Sequence, residues 1–326
     1  MKLKVSVVGV GHLGGIHAKL LKEHSDINFV GIRDINVQRA NEISNSLSVN
    51  EFKSLDDTIK NSDAIIIAVP TVIHHEIASQ CIKQGKHVLI EKPITATYEE
   101  SLDLIKLASD YGVLVQVGHV ERFNPAIASV KNYKLQPLFI ESHRLGQFKP
   151  RARDVSVIHD LMIHDIDIIL WLVKSGVKSI DANGVNVLTD TTDIANARIT
   201  FVNGCVANIT ASRISANPMR KMRIFQKDAY ISLDFQEHKV EVFKIYSDDS
   251  KPITGTPATV LGSLETGTKN QNIYYELPIV NKSNAIFDEQ ASFFNAIRNN
   301  SEVPVSAYDA SNALKLAEQI LDKINR

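Results

Sequence analysis

"LKVSVVGVGHLGGIHAKLL", Leu3 to Leu21, joins a β-rich apolar run to a helical pattern through Gly9-x-Gly11-x-x-Gly14. Gly9 permits a tight turn, Gly11 lets the backbone approach a pyrophosphate, and Gly14 allows close packing of helix on strand. The first helical turn, with His12 and Leu13, offers free N–H groups and the positive end of a dipole to the phosphates. Such a turn is weak evidence alone; its surroundings decide. Asp34 lies twenty residues after Gly14 and closes the next β-rich run, "NFVGIRD". A carboxylate there binds the adenosine ribose hydroxyls and repels a 2′-phosphate, which favours NAD over NADP. Arg33 beside it is the residue type that accommodates the extra phosphate.

Outward from that turn, short buried runs alternate with helical patterns: "DAIIIAVP", "HHEIASQCIKQGK", "HVLIEKP", "TYEESLDLIKLASDYG" and "VLVQVG". This alternation predicts a doubly wound α/β Rossmann domain with a parallel sheet over residues 1–120. After "ERFNPAIASV" the rhythm becomes strand, turn, strand, with Asn203-Gly204 marking a hairpin in "FVNGCVAN". Residues 121–326 are expected to form an α+β domain with a large, mostly antiparallel open sheet. The closing helices, including "DEQASFFNAIRN", are candidates to pack back on the first domain.

A chain of 326 residues can bury a large core without disulfides, and its 44% hydrophobic and 22% charged residues are those of a globular protein. The net charge of −1 supplies no general attraction to nucleic acid or an anionic membrane. Cys81 and Cys205 lack metal-ligand spacing and read as reduced core thiols. The apolar run after Met1 is too short for a signal core, and no run approaches a membrane span. The expected location is cytoplasmic.

"AVPTVIHH" ends the fourth strand, so Pro70, Thr71 and His74 are expected to border the cofactor. "HVLIEKPIT" ends the fifth with Glu91-Lys92-Pro93, aiming Lys92 towards the nicotinamide and admitting a cis bond before Pro93. With "GVGHLGGIHA", "EKP", "ERFNP", the Asp160-x-x-x-His164 pair and "FFNAIRNNSEVPVSAYDASNALKLAEQI", the chain resembles the Gfo/Idh/MocA family over nearly its whole length. The likeness departs at Thr71, where many members carry asparagine, and before Asp160, where small glycine-rich residues are common. It implies NAD-linked redox chemistry on a sugar or cyclitol alcohol. It also implies Lys92, Asp160 and His164 as catalytic residues, Glu91 beside the cofactor, and a homodimer or homotetramer built through the second sheet.

"VIHDLMIHDID", Val157 to Asp167, sets two histidines and three aspartates in an otherwise apolar segment. Such charge is costly to bury unless paired or used. As a helix it places Asp160, His164, Asp167 and Trp171 on one stripe, with His159 and Asp165 projecting elsewhere. Three readings stand: a metal site of Asp160, His164 and Asp167; a structural polar patch; and acid–base machinery. The last is favoured, because a neutral histidine can take the proton released as an alcohol gives up hydride. Asp160 would orient His164, and the sequence leaves the proton between Lys92 and His164. No metal is expected.

Just upstream, "ESHRLGQFKPRARD" gathers Arg144, Lys149, Arg151 and Arg153, a cluster suited to clamping a substrate phosphate. The expected substrate contacts are Lys92, Arg122, Asn124, Arg151, Arg153, Asp160, His164 and Asp167. This loop, with "GHVERFNPAI" and "DLMIHDIDIIL", is similar to members that oxidise UDP-N-acetylglucosamine at C3. A dehydrogenase of free sugar or inositol and a catalytically silent NAD-binding sensor are the alternatives. A metal-dependent hydrolase would leave the dinucleotide turn unexplained.

Overall fold

The computed structural model describes residues 2–148, 155–247, 252–266 and 269–325. The chain divides into two compact units, residues 1–120 with 284–315 and residues 121–283 with 316–326. The first unit begins with β1 (Leu3–Val8), α1 (His12–Leu21), β2 (Ile27–Arg33), α2 (Val37–Leu47), β3 (Asn50–Glu51), α3 (Leu55–Asn61) and β4 (Ala64–Ile67). It continues through α4 (His74–Lys83), β5 (His87–Glu91), α5 (Tyr98–Tyr111) and β6 (Val115–Gly118). Among the described residues its six strands pair in the order β3-β2-β1-β4-β5-β6, every pair parallel. The order reverses between β1 and β4, the switch point at which such sheets bind ligands.

Local chemistry explains the helix ends. Asn36 caps α2 and Ser54 caps α3, each accepting a main-chain N–H of the first turn. Thr97 and Glu100 close a reciprocal capping box on α5, and Gly112 ends that helix in the left-handed region. Ala64 to Ile67 of β4 are wholly buried, as a central parallel strand covered on both faces must be.

The second unit contains α6 (Pro125–Ser129), β7 (Phe139–Leu145), one π-helical turn (Ile158–Met162) and α7 (Ile163–Val173). Strands β8 (Val177–Val185), β9 (Ile194–Phe201), β10 (Val206–Ser212), β11 (Met219–Gln226) and β12 (Ala229–Asp234) follow. The last three are β13 (Lys239–Ser247), β14 (Ala258–Thr266) and β15 (Lys269–Glu276). Among the described residues they make one nine-stranded sheet, β14-β15-β13-β12-β11-β7-β10-β9-β8. All its pairs are antiparallel except β7 with β10. The hairpin at Asn203-Gly204 joins β9 to β10, with Gly204 at φ 88°. Burial alternates along β7, β9 and β12, so one face of the sheet is core and the other is half-exposed. Helix α7 packs on β7 and β10.

Two more helices close the chain. Helix α8 (Ala285–Asn299) belongs to the first unit, where Phe293 and Phe294 enter a core with Val5, Ile66 and Leu89. Helix α9 (Ala307–Ile324) contributes its residues up to Lys315 to the first unit and the remainder to the second. Both cysteines are buried and unpaired; burial pushes Cys81 up to about 12 and Cys205 up to about 11, which keeps them inert thiols. No helix among the described residues is long and apolar enough to cross a membrane.

Candidate active site

In the first unit Gly9, Gly11, His12, Leu13, Gly14, Asp34, Pro70, Thr71 and Lys92 all follow the C-terminal ends of β1, β2, β4 and β5. The glycines fit the phosphates of a dinucleotide, each for its own reason. A Cβ on Gly14 would lie 1.8 Å from the Gly9 carbonyl oxygen, and one on Gly9 would lie 2.6 Å from that of Ala68. A Cβ on Gly11 would meet nothing within 4 Å. Gly11 therefore faces open space, where only a ligand would feel a side chain. It is also the N-cap of α1, has no side-chain cap, and is followed by no acidic residue in the first turn. The amides and dipole at that end are available to an anion.

Asp34 accepts the Val10 N–H at 2.7 Å through one oxygen and the Asn36 N–H at 2.8 Å through the other. These bonds fix the carboxylate, and its remaining lone pairs suit two ribose hydroxyls. Two neighbours went unread in the sequence. Ile35 is 81% exposed and Val72 75% exposed, apolar surfaces on either loop suited to a flat base. Arg39 donates Nε–H to the Val10 carbonyl at 3.0 Å and so braces the glycine turn from α2.

His74 and Glu91, expected beside the cofactor, turn inward. The His74 ring is buried, with Nδ1 2.9 Å from the Pro93 carbonyl and Nε2 2.9 Å from that of Val69. It ties the loop after β4 to the turn after β5. Burial lowers its pKa and outweighs both carbonyls and the charge of Glu91. Glu91 is also buried; its Oε1 meets His17 Nε2 at 2.8 Å and its Oε2 accepts the Lys92 N–H at 3.2 Å. Burial opposes its charge, but the His17 contact and the Lys92 cation prevail and hold the carboxyl below its ordinary range. Lys92 is thus held from both sides, through Glu91 and through the carbonyl of Pro93, and the Lys92–Pro93 peptide is cis.

In the second unit Asp160 stands in the π-helical turn and His164 in the first turn of α7, both partly exposed. A π turn inside a helix costs regular hydrogen bonding and recurs at functional sites. The other charges of this segment have structural tasks. Asp167, expected as a substrate contact, is buried and receives Arg122 Nε at 2.7 Å and Nη2 at 2.6 Å. A carboxylate gripped by a guanidinium at both oxygens is a poor metal ligand, which removes Asp167 from the metal reading. Arg122, also expected as a substrate contact, is buried in that fork. Asn124 caps α6 and donates to Glu121 and the Phe235 carbonyl, so its side chain is committed too.

Asp165 carries the second anchor. It accepts Arg144 Nε at 2.6 Å and Ser142 Oγ at 2.8 Å, while Arg144 Nη1 reaches Glu121 at 2.8 Å. Burial opposes the Glu121 charge, but Arg144 outweighs it and holds the carboxyl below its usual range. Arg144 is therefore a buried strut of β7, not part of a surface clamp. Lys149, Arg151 and Arg153, the rest of the predicted basic cluster, lie outside the described residues. His159 pairs with Ser156 Oγ at 3.0 Å.

Residues 3–119 match an oxidoreductase family described by its NAD-binding Rossmann fold, and residues 128–232 match the GFO/IDH/MocA C-terminal domain. The chain is similar to the UDP-N-acetylglucosamine 3-dehydrogenase of Acidithiobacillus ferrooxidans, 39% identical over 242 residues, 74% of this chain and 77% of that protein. A solved structure of the UDP-N-acetylglucosamine 3-dehydrogenase of that organism aligns with a TM-score of 0.88 at 33% identity, covering 99% of this chain and 98% of the other. The scyllo-inositol 2-dehydrogenase (NAD(+)) of Bacillus subtilis is 28% identical over 236 residues, 66% of this chain and 68% of that protein.

Proposed function

Because the chain belongs to the Gfo/Idh/MocA family of NAD-binding oxidoreductases, we propose that it oxidises a nucleotide sugar, UDP-N-acetylglucosamine, at its C3 hydroxyl with NAD as acceptor. The observation that carries the substrate is the likeness to a UDP-N-acetylglucosamine 3-dehydrogenase over 99% of the chain, which includes the unit bearing Asp160 and His164.

Bound NAD supplies the hydride acceptor. The chain's own residues do the remainder. The α1 amides and bare Gly11 would seat the pyrophosphate, and Asp34 would hold the adenosine ribose. His164 accepts the hydroxyl proton as the C–H bond breaks and the ketone forms, with Asp160 orienting its ring. Lys92 hydrogen-bonds the reacting oxygen and stabilises its developing negative charge. The substrate would lose one hydride to the bound acceptor and one proton to the protein, and leave as a 3-keto sugar.

A row of aromatic rings crosses the half-exposed sheet face: Phe139, Phe225, Tyr230, Phe243 and Tyr275, with successive centroids 4.9–5.7 Å apart. It supports assembly of a homodimer or homotetramer through this sheet. The inositol dehydrogenase among the relatives makes a free cyclitol the second reading of the substrate.

Mixing the protein with NAD and UDP-N-acetylglucosamine should produce NADH. Turnover of inositol with no response to any UDP-sugar would select the second reading. His164→Ala should lower kcat by about 10²–10⁴-fold while NAD affinity stays near that of the parent; lost NAD binding would make the residue structural.

A further inference from the structure

A chain of hydrogen bonds in the first unit runs in one direction towards Lys92. Gln290 of α8 donates Nε2–H to the His17 carbonyl at 3.2 Å and to His17 Nδ1 at 2.9 Å. The first bond fixes the amide's orientation, so Nδ1 is an acceptor and the ring proton sits on Nε2. That Nε2–H donates to Glu91 Oε1 at 2.8 Å, and Glu91 Oε2 accepts the Lys92 N–H at 3.2 Å. His24 Nε2 meets Gln290 Oε1 at 3.1 Å and starts the chain. Across the sheet Gly118 leaves room for it: a Cβ there would lie 3.0 Å from Glu91 Oε2.

Glu289, next to Gln290, is only 1% exposed, and among the described residues neither of its carboxylate oxygens has a hydrogen-bond partner. Gln116 of β6 reaches its main-chain carbonyl at 3.0 Å, and Gln116 Oε1 also lacks a partner among the described residues. A buried carboxylate in such a place is expensive, whereas a neutral carboxylic acid leaves no uncompensated charge there. Several titratable groups face α8 or its neighbours: His17 of α1, His24 and Asp26 after it, Glu91 and Lys92 at β5, and Arg298 on α8 paired with Asp26. Burial and, after it, the Glu91 charge push the Glu289 carboxyl well above the ordinary range.

We propose that Glu289 is a positioning residue that works as a neutral carboxylic acid: uncharged, it leaves Glu91 as the anion of the cluster and keeps the Gln290–His17–Glu91 chain closed on the main chain of Lys92. Ionising Glu289 would set two carboxylates in one buried site, and relief by protonating or displacing Glu91 would open the chain at Lys92. The inference rests on the reading that Lys92 acts in the reaction, but two of its three readouts need no reaction.

In heavy water near neutral pH, the infrared spectrum should contain a carboxylic-acid carbonyl band that Glu289→Gln removes and Glu91→Gln keeps. For stability, the folded-state pKa of Glu289 lies above the unfolded one. The parent protein is therefore penalised increasingly as pH rises above about 4.5. Glu289→Gln escapes this, so its Tm lead should be absent near the ordinary carboxyl pKa and grow by up to about 3 °C per pH unit. Glu289→Met, equally uncharged, should reproduce the slope if the amide packs badly. In turnover, Glu289→Gln should remove an alkaline loss of kcat present in the parent. No band lost in Glu289→Gln, or a Tm difference independent of pH, overturns the neutral acid. A lost band with an unchanged alkaline limb overturns the positioning role. Should Lys92→Ala turn over normally, the reading of Lys92 fails, while band and slope still judge the acid.

Discussion

Gly11 and Gly14 belong to one motif and lack side chains for opposite reasons. Gly14 has no room against the Gly9 carbonyl, while Gly11 has nothing near it. Gly14→Ala should therefore lower Tm and NAD affinity together. Gly11→Ala should leave Tm within a degree or so and weaken NAD at least about tenfold, roughly 1.4 kcal/mol; calorimetry with and without NAD separates the two. Residues of this kind are legible in sequence because glycine spacing reports backbone demands directly. His17, Glu289 and Gln290 were not legible. Their burial depends on partners up to 273 positions away. His74 and Glu91 were expected beside the cofactor, yet both are buried against carbonyls and a ring, since a strand end specifies position and not which group a side chain will meet.

At the scale of the element, the segment from Val157 to Asp167 commits two of its aspartates to anchorage and leaves Asp160 and His164 for the proposed chemistry. Asp165 and Asp167 hold α7 to Arg144 and Arg122, and Asp160 and His164 remain in the π and first α turns. An apolar helix with two buried ion pairs has one seat; sliding it by one residue would strand both aspartates. Asp167→Asn should cost about 3 kcal/mol of stability, because Arg122 would be left buried without a counter-charge. NAD affinity should change little, since the residues that fit the dinucleotide lie in the other unit; urea unfolding and NAD titration of this variant check both halves. The density of charge was plain in the sequence, but the stripe at steps of four, three and four assumed a regular helix. A π turn breaks that regularity, and arginine partners 21 and 45 residues away decided which aspartates were taken. The second sheet was read as mostly antiparallel; the parallel pairing of β7 with β10 is non-local and leaves no mark in alternation. Strand β14 escaped notice because a bulge near Gly262 interrupts its pattern.

For the whole molecule, opposing titrations set the stability profile. His24, His74 and His87 all lie in the first unit, and burial lowers the pKa of each. The unfolded chain then binds more protons below about pH 6.5, so their contribution is complete above that pH and is lost as pH falls. His87 illustrates the cost, since its Nδ1 accepts the Leu114 N–H and protonation would break that bond. Melting curves should show Tm falling from pH 7 to pH 5, and His87→Gln should flatten part of that fall. The central claim, oxidation of a nucleotide sugar with NAD, is tested most directly by kcat/KM for UDP-N-acetylglucosamine against myo-inositol under identical conditions. The account predicts a ratio of at least about 10³ in favour of the nucleotide sugar, roughly 4 kcal/mol of transition-state preference. A ratio near one, or a preference for inositol, would contradict it.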